Sequence, residues 1–335
     1  MAVDQQAEQF VDLCSRGNLE SLEAMEAEFV ELCWRGDLEG VRAALQSGAD
    51  VNSKRAGQTG LMTVLKMKHI AVTSLLLEQE GIDVDIFDYI DRTPLHHAAG
   101  DDDTSECLAM ILAQTSSVNE RDVTGWTPLL YAVVCNARRC VQLLLSDERT
   151  DPNIKDNVGD SPLMVAVKRN NFVCVELLIS NKRTDLSIKT SWGEPLLMWA
   201  VMNNFAGCVK LLISDERTNP NIQATYGDSP LMVAVERDND GFVEMLISNE
   251  HTDLNNIIDG GLLMWAVMNN CIGCVELLIS DKRIDPNLKD NRGNSPLMWA
   301  VKHNHVYCVE LLLADPRVDL MTRDRLKRSR NKVAR

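Results

Sequence analysis

Three groupings in this 335-residue chain have residue types that could carry chemistry. Adjacent His96 and His97, and the triplet His303-Asn304-His305, offer imidazoles for a metal ion or for proton transfer, and Cys271-Ile272-Gly273-Cys274 has the spacing of half a zinc site. Each falls short on geometry. Residues one and two apart on a helix point in different directions, so neither histidine group converges on an ion. The cysteine pair has no second pair to complete a tetrahedral set. No H-E-x-x-H, glycine-rich phosphate loop or nucleophile elbow occurs in the chain. These residues therefore predict no enzyme, no resident metal and no cofactor.

The residues that recur are aromatic. Trp199, Trp265 and Trp299 occupy one position of a repeated phrase, a slot filled elsewhere by Tyr131, His97, Val165, Val233 and Thr63. The segment Leu196 to Asn204, LLMWAVMNN, returns unchanged from Leu262 to Asn270. Its alanine position runs Val64, Ala98, Ala132, Ala166, Ala200, Ala234, Ala266 and Ala300, spaced by 34 residues at every step but one of 32. A fixed period of this length predicts a stacked array of one supersecondary unit.

The segment from Lys289 to Leu313 shows the grammar of a unit. A turn, Asp290-Asn291-Arg292-Gly293, leads to Ser295-Pro296, where serine caps a helix and proline suits its first position. Leu297, Ala300 and Val301 then form one buried stripe, and a polar break precedes a second helix carrying Cys308, Leu311 and Leu312. The turn glycine recurs at Gly57, Gly125, Gly159, Gly193, Gly227 and Gly293, where a positive φ would explain it, with Asp91 and Asp259 standing in twice. Cys140, Cys174, Cys208, Cys274 and Cys308 share one second-helix slot with Phe242. A phenylalanine there marks a packing position. Packed helices about 8–10 Å apart also exceed the Cα separation of about 7 Å that a disulfide tolerates.

Thr93-Pro94-Leu95-His96-His97-Ala98-Ala99 matches the T-P-L-H-x-A signature of ankyrin repeats, and Gly48-Ala49-Asp50-Val51-Asn52 resembles that family's G-A-D-V-N segment. The resemblance covers roughly residues 29 to 320. It implies a mainly α ankyrin-repeat solenoid of helix-turn-helix units joined by hairpin loops, with first helices and hairpin tips forming a concave face that binds proteins. The expected divisions are an N-terminal helical extension at 1–28, the array of a half unit and about eight full units at 29–320, and a basic tail at 321–335. Asp-Pro-Asn at 151–153 and 285–287 departs from the family's D-V-N and leaves the loop after the second helix open.

A formal charge of −15 disfavours phosphate backbones and favours basic partners. No signal peptide and no apolar run of the eighteen or so residues that a membrane helix needs is present, so a cytoplasmic chain is expected, with the tail Arg323 to Arg335 offering nuclear import. The expected role is a monomeric protein-binding scaffold or adaptor that meets no nucleic acid and no membrane. Its expected contacts on the first-helix face are Tyr131, Trp199, Trp265 and Trp299, with Met202, Met268, Lys302 and His303 beside them. At the hairpin tips Trp126, Trp192, Tyr226, Asp160, Glu194 and Asp228 would suit a basic, extended segment. Two alternatives remain: a regulator that masks a basic segment of its partner, and a small-ligand or enzymatic role, which would need a closed pocket. The ladder Arg149, Arg183, Arg217, Arg283 and Arg317, with His251 in the sixth place, is expected to sit at the carboxyl ends of second helices.

Overall fold

The computed structural model describes residues 19–190, 192–224, 227–254 and 260–319, and side chains from residue 24 onward. Expectations that fall on the N-terminal copy around Phe10, on Tyr226 and Asp259, and on the basic tail lie outside the described residues. The chain divides into two compact units, residues 1–185 and 186–335.

The first unit begins with a long helix α1 (Leu19–Arg35), which runs unbroken through the expected boundary at residue 28, followed by α2 (Leu38–Gln46). A two-stranded antiparallel hairpin, β1 (Lys54–Arg55) with β2 (Gln58–Thr59), leads into α3 (Gly60–Met67) and α4 (Ile70–Leu77). Then come α5 (Pro94–Ala99) and α6 (Ser105–Gln114), α7 (Pro128–Cys135) and α8 (Arg138–Ser146), and α9 (Pro162–Lys168) and α10 (Phe172–Ser180). First helices α3, α5, α7 and α9 pack in series, and second helices α2, α4, α6, α8 and α10 pack in a parallel series.

The second unit repeats the plan with α11 (Leu196–Met202), α12 (Ala206–Ser214), α13 (Pro230–Glu236), α14 (Asp240–Ile247), α15 (Gly261–Met268), α16 (Ile272–Ser280), α17 (Pro296–Lys302) and α18 (Val306–Ala314). Its first helices α11, α13, α15 and α17 again form one layer and its second helices another. No described helix is long and apolar enough to cross a membrane.

Helices of six to ten residues are too short to persist alone in water, so each is held by its neighbours. The alanine position is where they touch: Val64, Ala98, Ala132, Ala166, Ala200, Ala234, Ala266 and Ala300 all have no exposed surface. A first helix such as α7, packed between α5 and α9 and against its own second helix α8, is apolar nearly all round, with Pro128, Leu129, Leu130, Ala132 and Val133 buried. The second-helix cysteines are equally buried, Phe242 with them, and Cys107 on α6 joins the row. All these thiols are free. Burial pushes Cys140 up to about 12 and Cys208 up to about 11, which keeps them protonated and inert.

Local chemistry sets the ends of the helices. Ser161, Ser229 and Ser295 accept from the backbone N–H groups of Met164, Met232 and Met298, with proline at the first turn. First helices stop at a left-handed residue, Asn136, Asn170, Asn204, Asp238, Asn270 or Asn304, which turns the chain into the second helix. The six described turn glycines have positive φ, and Asp91 adopts the same conformation at 60°.

The loop that the sequence left open is held by asparagine. Asn153 Nδ2 donates to Arg183 O at 2.8 Å while Oδ1 accepts from Asp185 N at 2.8 Å, clamping one repeat to the next. Asn52, Asn119, Asn221 and Asn287 make the same pair of bonds. The D-P-N loops at 151–153 and 285–287 thus carry the same clamp as the D-V-N form at Asn52.

Candidate protein-binding face

Four of the described hairpins are closed by an aspartate acceptor at the first residue. Asp156 Oδ1 takes the N–H groups of Val158 and Asp160, both at 2.9 Å, and Asp88, Asp122 and Asp290 do the same in their turns. Thr190 substitutes its hydroxyl, whereas Ala224 has nothing to offer. This Asx-turn was legible in the sequence as an aspartate three residues before Gly125, Gly159 and Gly293, but attention to the glycine alone misses it.

The aromatic slot lies directly over these acceptors. Trp299 is half-buried on α17, and its Nε1 donates to Asp290 Oδ2 at 3.0 Å. Desolvation pushes the Asp290 carboxyl up, but hydrogen bonds from Asn294, Trp299 and Arg292 outweigh it and hold it at about 2. His303 stacks on the indole at 4.1 Å between centroids, and the Lys302 ammonium stands 5.7 Å from it, a cation–π distance. The expected trio Trp299, Lys302 and His303 is therefore brought together.

Trp199 and Trp265 are also half-buried, and Trp265 Nε1 is enclosed with no hydrogen-bond partner among the described residues. The slot thus packs with one edge and faces outward with the other. Met202 is half-buried and Met268 is 39% exposed beside it.

In the first unit the slot is polar. His97 Nε2 lies 3.0 Å from Asp88 Oδ2, and Arg92 bridges Asp88 to the Tyr131 hydroxyl at 3.2 Å from each. Trp126 meets the Tyr131 ring edge-on with centroids 6.0 Å apart. Burial, then the Arg92 guanidinium, push the His97 imidazole down to about 4 against the pull of Asp88, so it donates as a neutral ring. Its neighbour His96 has a different task. Its Nδ1 accepts from Thr93 N at 3.1 Å and its Nε2 lies 3.0 Å from Trp126 O, tying one repeat to the next. The two histidines do not share a ligand.

The hairpin-tip acids do not form one exposed edge. Asp160 is buried, and Lys168 Nζ bonds both its oxygens at 2.7 Å, so it is not offered to solvent as expected of a turn residue. Glu194 and Asp228 are half-buried, while Trp192 is 79% exposed. The arginine ladder is structural: Arg183 Nη1 donates to Glu148 O and Thr150 O at 2.8 and 2.6 Å, and Arg149, Arg283 and Arg317 likewise bond carbonyls at the end of the preceding second helix.

The sole grouping of metal-ligating types that comes together among the described residues is Asp238, Asp240 and Cys274, whose ligand atoms lie within 4.8 Å of one another. Cys274 Sγ lies 3.4 Å from Asp240 Oδ1 as donor, and burial together with these carboxylates raises its pKa, which opposes the thiolate a metal needs. Cys271 is not in this group; its thiol is directed at Val235 O, 3.3 Å away.

A family model described as ankyrin repeats (3 copies) matches residues 29–122, 90–156, 135–224, 163–258 and 231–324. The chain belongs to the ankyrin-repeat family. One ankyrin-repeat relative is the 26S proteasome non-ATPase regulatory subunit 10 of Dictyostelium discoideum, 30% identical over 99 residues, which are 30% of this chain and 43% of that protein. The similarity thus spans less than half of that protein's length. Ankyrin repeats mediate protein–protein interaction and are typically non-enzymatic. In this ankyrin-repeat chain the first helices carry the half-buried aromatic slot, while the second helices carry the packed cysteines and are followed by the arginine ladder.

Proposed function

We propose that this chain is a scaffold or adaptor that holds a partner protein against the first-helix and hairpin face, and that the partner presents a basic, extended segment. The observation that carries the reading is the row Trp199, Trp265 and Trp299 on the second unit, each half-buried and flanked by Met202, Met268, Lys302 and His303. Large aromatic side chains already held in place by packing bind with little further loss of freedom, which is how interface anchors work. A net charge of −15 supports a basic partner through long-range attraction. The similarity to a subunit of the proteasome supports a role in protein assembly rather than in chemistry.

The test is affinity purification with wild-type protein and with the Trp199→Ala, Trp265→Ala, Trp299→Ala triple variant. Partner recovery should fall by at least about tenfold, since interface aromatics commonly contribute 2 kcal/mol or more each, and recovery should also fall with added salt. A triple variant that melts far below wild type yet retains its partners would assign the tryptophans to packing alone.

A further inference from the structure

The second unit contains a hollow of about 550 Å³ lined by Glu194, Met198, Met202, Ala224, Asp228, Val233, Glu236 and Arg237. Its origin lies in two departures from the repeat. The slot residue on α13 is Val233 where the helices on either side carry Trp199 and Trp265, and the turn residue is Ala224 where the hairpin before α17 carries Asp290 and the one before α11 carries Thr190. A small residue at both points leaves open the volume that an indole and its carboxylate partner fill around Trp299 and Asp290.

A third departure sets the charge. In the first unit the tip acid Asp160 is neutralised by Lys168, eight residues on along the same hairpin and helix. The corresponding pairs in the second unit are Glu194 with Met202 and Asp228 with Glu236, so the internal cation is replaced once by a thioether and once by another carboxylate. Arg237 does not make up the loss: its guanidinium donates to Met202 O, and it pairs with no carboxylate among the described residues. Glu194 Oε2 is enclosed and has no hydrogen-bond partner among the described residues. A carboxylate oxygen in that state bears a desolvation cost that only a donor relieves, and the terminal torsion of a glutamate, broad and two-fold, lets either oxygen turn towards a ligand.

Resting on the protein-binding reading above, we propose that this hollow receives the side chain of an arginine from the partner. Met198, Met202 and Val233 take the aliphatic stem, and Glu194, Asp228 and Glu236 take the guanidinium, whose planar fork of donors matches several carboxylates at once where an ammonium matches one. The hollow is the single-residue specificity element of a face that elsewhere offers aromatic surface.

The test uses the full chain with methyl-labelled methionine and an acetylated glycine-serine hexapeptide carrying one arginine, with citrulline and lysine versions as controls. Saturable shifts of the Met198 and Met202 methyl signals are expected with the arginine peptide, weakened by salt and absent with citrulline. Glu194→Gln, which keeps shape, should weaken binding about tenfold, the effect of losing one charge-assisted bond. Val233→Trp restores the residue type of the neighbouring slots and should abolish the shifts while leaving the helical circular dichroism intact. Equal shifts with citrulline, or no shift at millimolar peptide, overturn the proposal, and equal affinity for lysine overturns the guanidinium assignment. If Val233→Trp and Glu194→Gln retain a partner that the tryptophan triple variant loses, the arginine site fails and the protein-binding reading stands; loss of peptide shifts is the separate readout.

Discussion

His251→Arg should stabilise the second unit, because the position is the one break in an otherwise regular ladder. His251 is exposed, with its Nε2 3.9 Å from Glu250, and it stands over an open hollow of about 690 Å³ lined in part by Ile213, Glu216, Asn249 and His251 itself. The template is Arg183, which stands two residues after an asparagine as His251 does. Arg183 Nη1 bonds Glu148 O and Thr150 O, and Nη2 reaches Leu145 O and Asp147 O at 3.2 Å, while Asn181 Nδ2 holds Leu145 O at 3.2 Å. Asn249 Nδ2 already holds the matching Ile213 O at 2.8 Å, so the carbonyls of Asp215, Glu216 and Thr218 await the guanidinium in the same arrangement. Two well-aligned bonds from a charged donor contribute about 3–6 kcal/mol before costs. Fixing an arginine costs about 2 kcal/mol, and partial exposure of the site trims the rest, leaving a net gain of about 1–2 kcal/mol. For a unit of this size that corresponds to a rise in melting temperature of about 4 °C.

Thermal unfolding followed by circular dichroism, with hydrogen exchange at the end of α12 as the local readout, measures the effect. His251→Lys is the control, since a lysine supplies the charge without the fork. An equal rise with lysine would reduce the ladder to simple helix-end electrostatics, and no rise with arginine would refute the assignment of the ladder to inter-repeat bonding.

Asn153→Ala removes both bonds of one clamp and should destabilise the first unit by about 1–2 kcal/mol in urea unfolding, with Asn153→Asp intermediate because it keeps the acceptor and loses the donor; a neutral alanine variant would make the clamp decorative. His97 supplies a pH dependence. Its folded pKa of about 4 lies below the unfolded value of about 6.5, so its stabilisation is complete above pH 6.5 and is lost as pH falls through 4. The loss is on the order of 3 kcal/mol, and His96, also lowered by burial, titrates in the same direction. The readout is therefore the difference between wild type and His97→Gln in urea midpoint from pH 7.5 to 4, and parallel profiles would remove His97 from the account.

The repeat period, the capped start of each first helix, the glycine turns and the buried alanine and cysteine positions could all be read along the chain. They depend on backbone preferences and on which side chains avoid water, and both act within one repeat. The candidate face was legible in part: the spacing of Trp299, Lys302 and His303 placed them on one side of a helix, and they do meet there. Asp160 was not legible, because nothing in its own turn announces that Lys168 returns from the end of α9 to cover it. The same holds for Asn153, whose two partners lie 30 and 32 residues away, and for Arg183, whose acceptors belong to the preceding helix.

The sequence by itself determined the repeating unit and the family to which it belongs. Stacking decided which polar groups are satisfied and which are left over, because an asparagine or guanidinium finds its partner across a repeat boundary, about one period away along the chain, where nothing in its own turn announces it. Val233, Ala224 and Glu236 are unremarkable letters in a line of text; only when adjacent repeats are brought together do they leave a hollow with three carboxylates and one arginine, Arg237, whose guanidinium is turned to a backbone carbonyl.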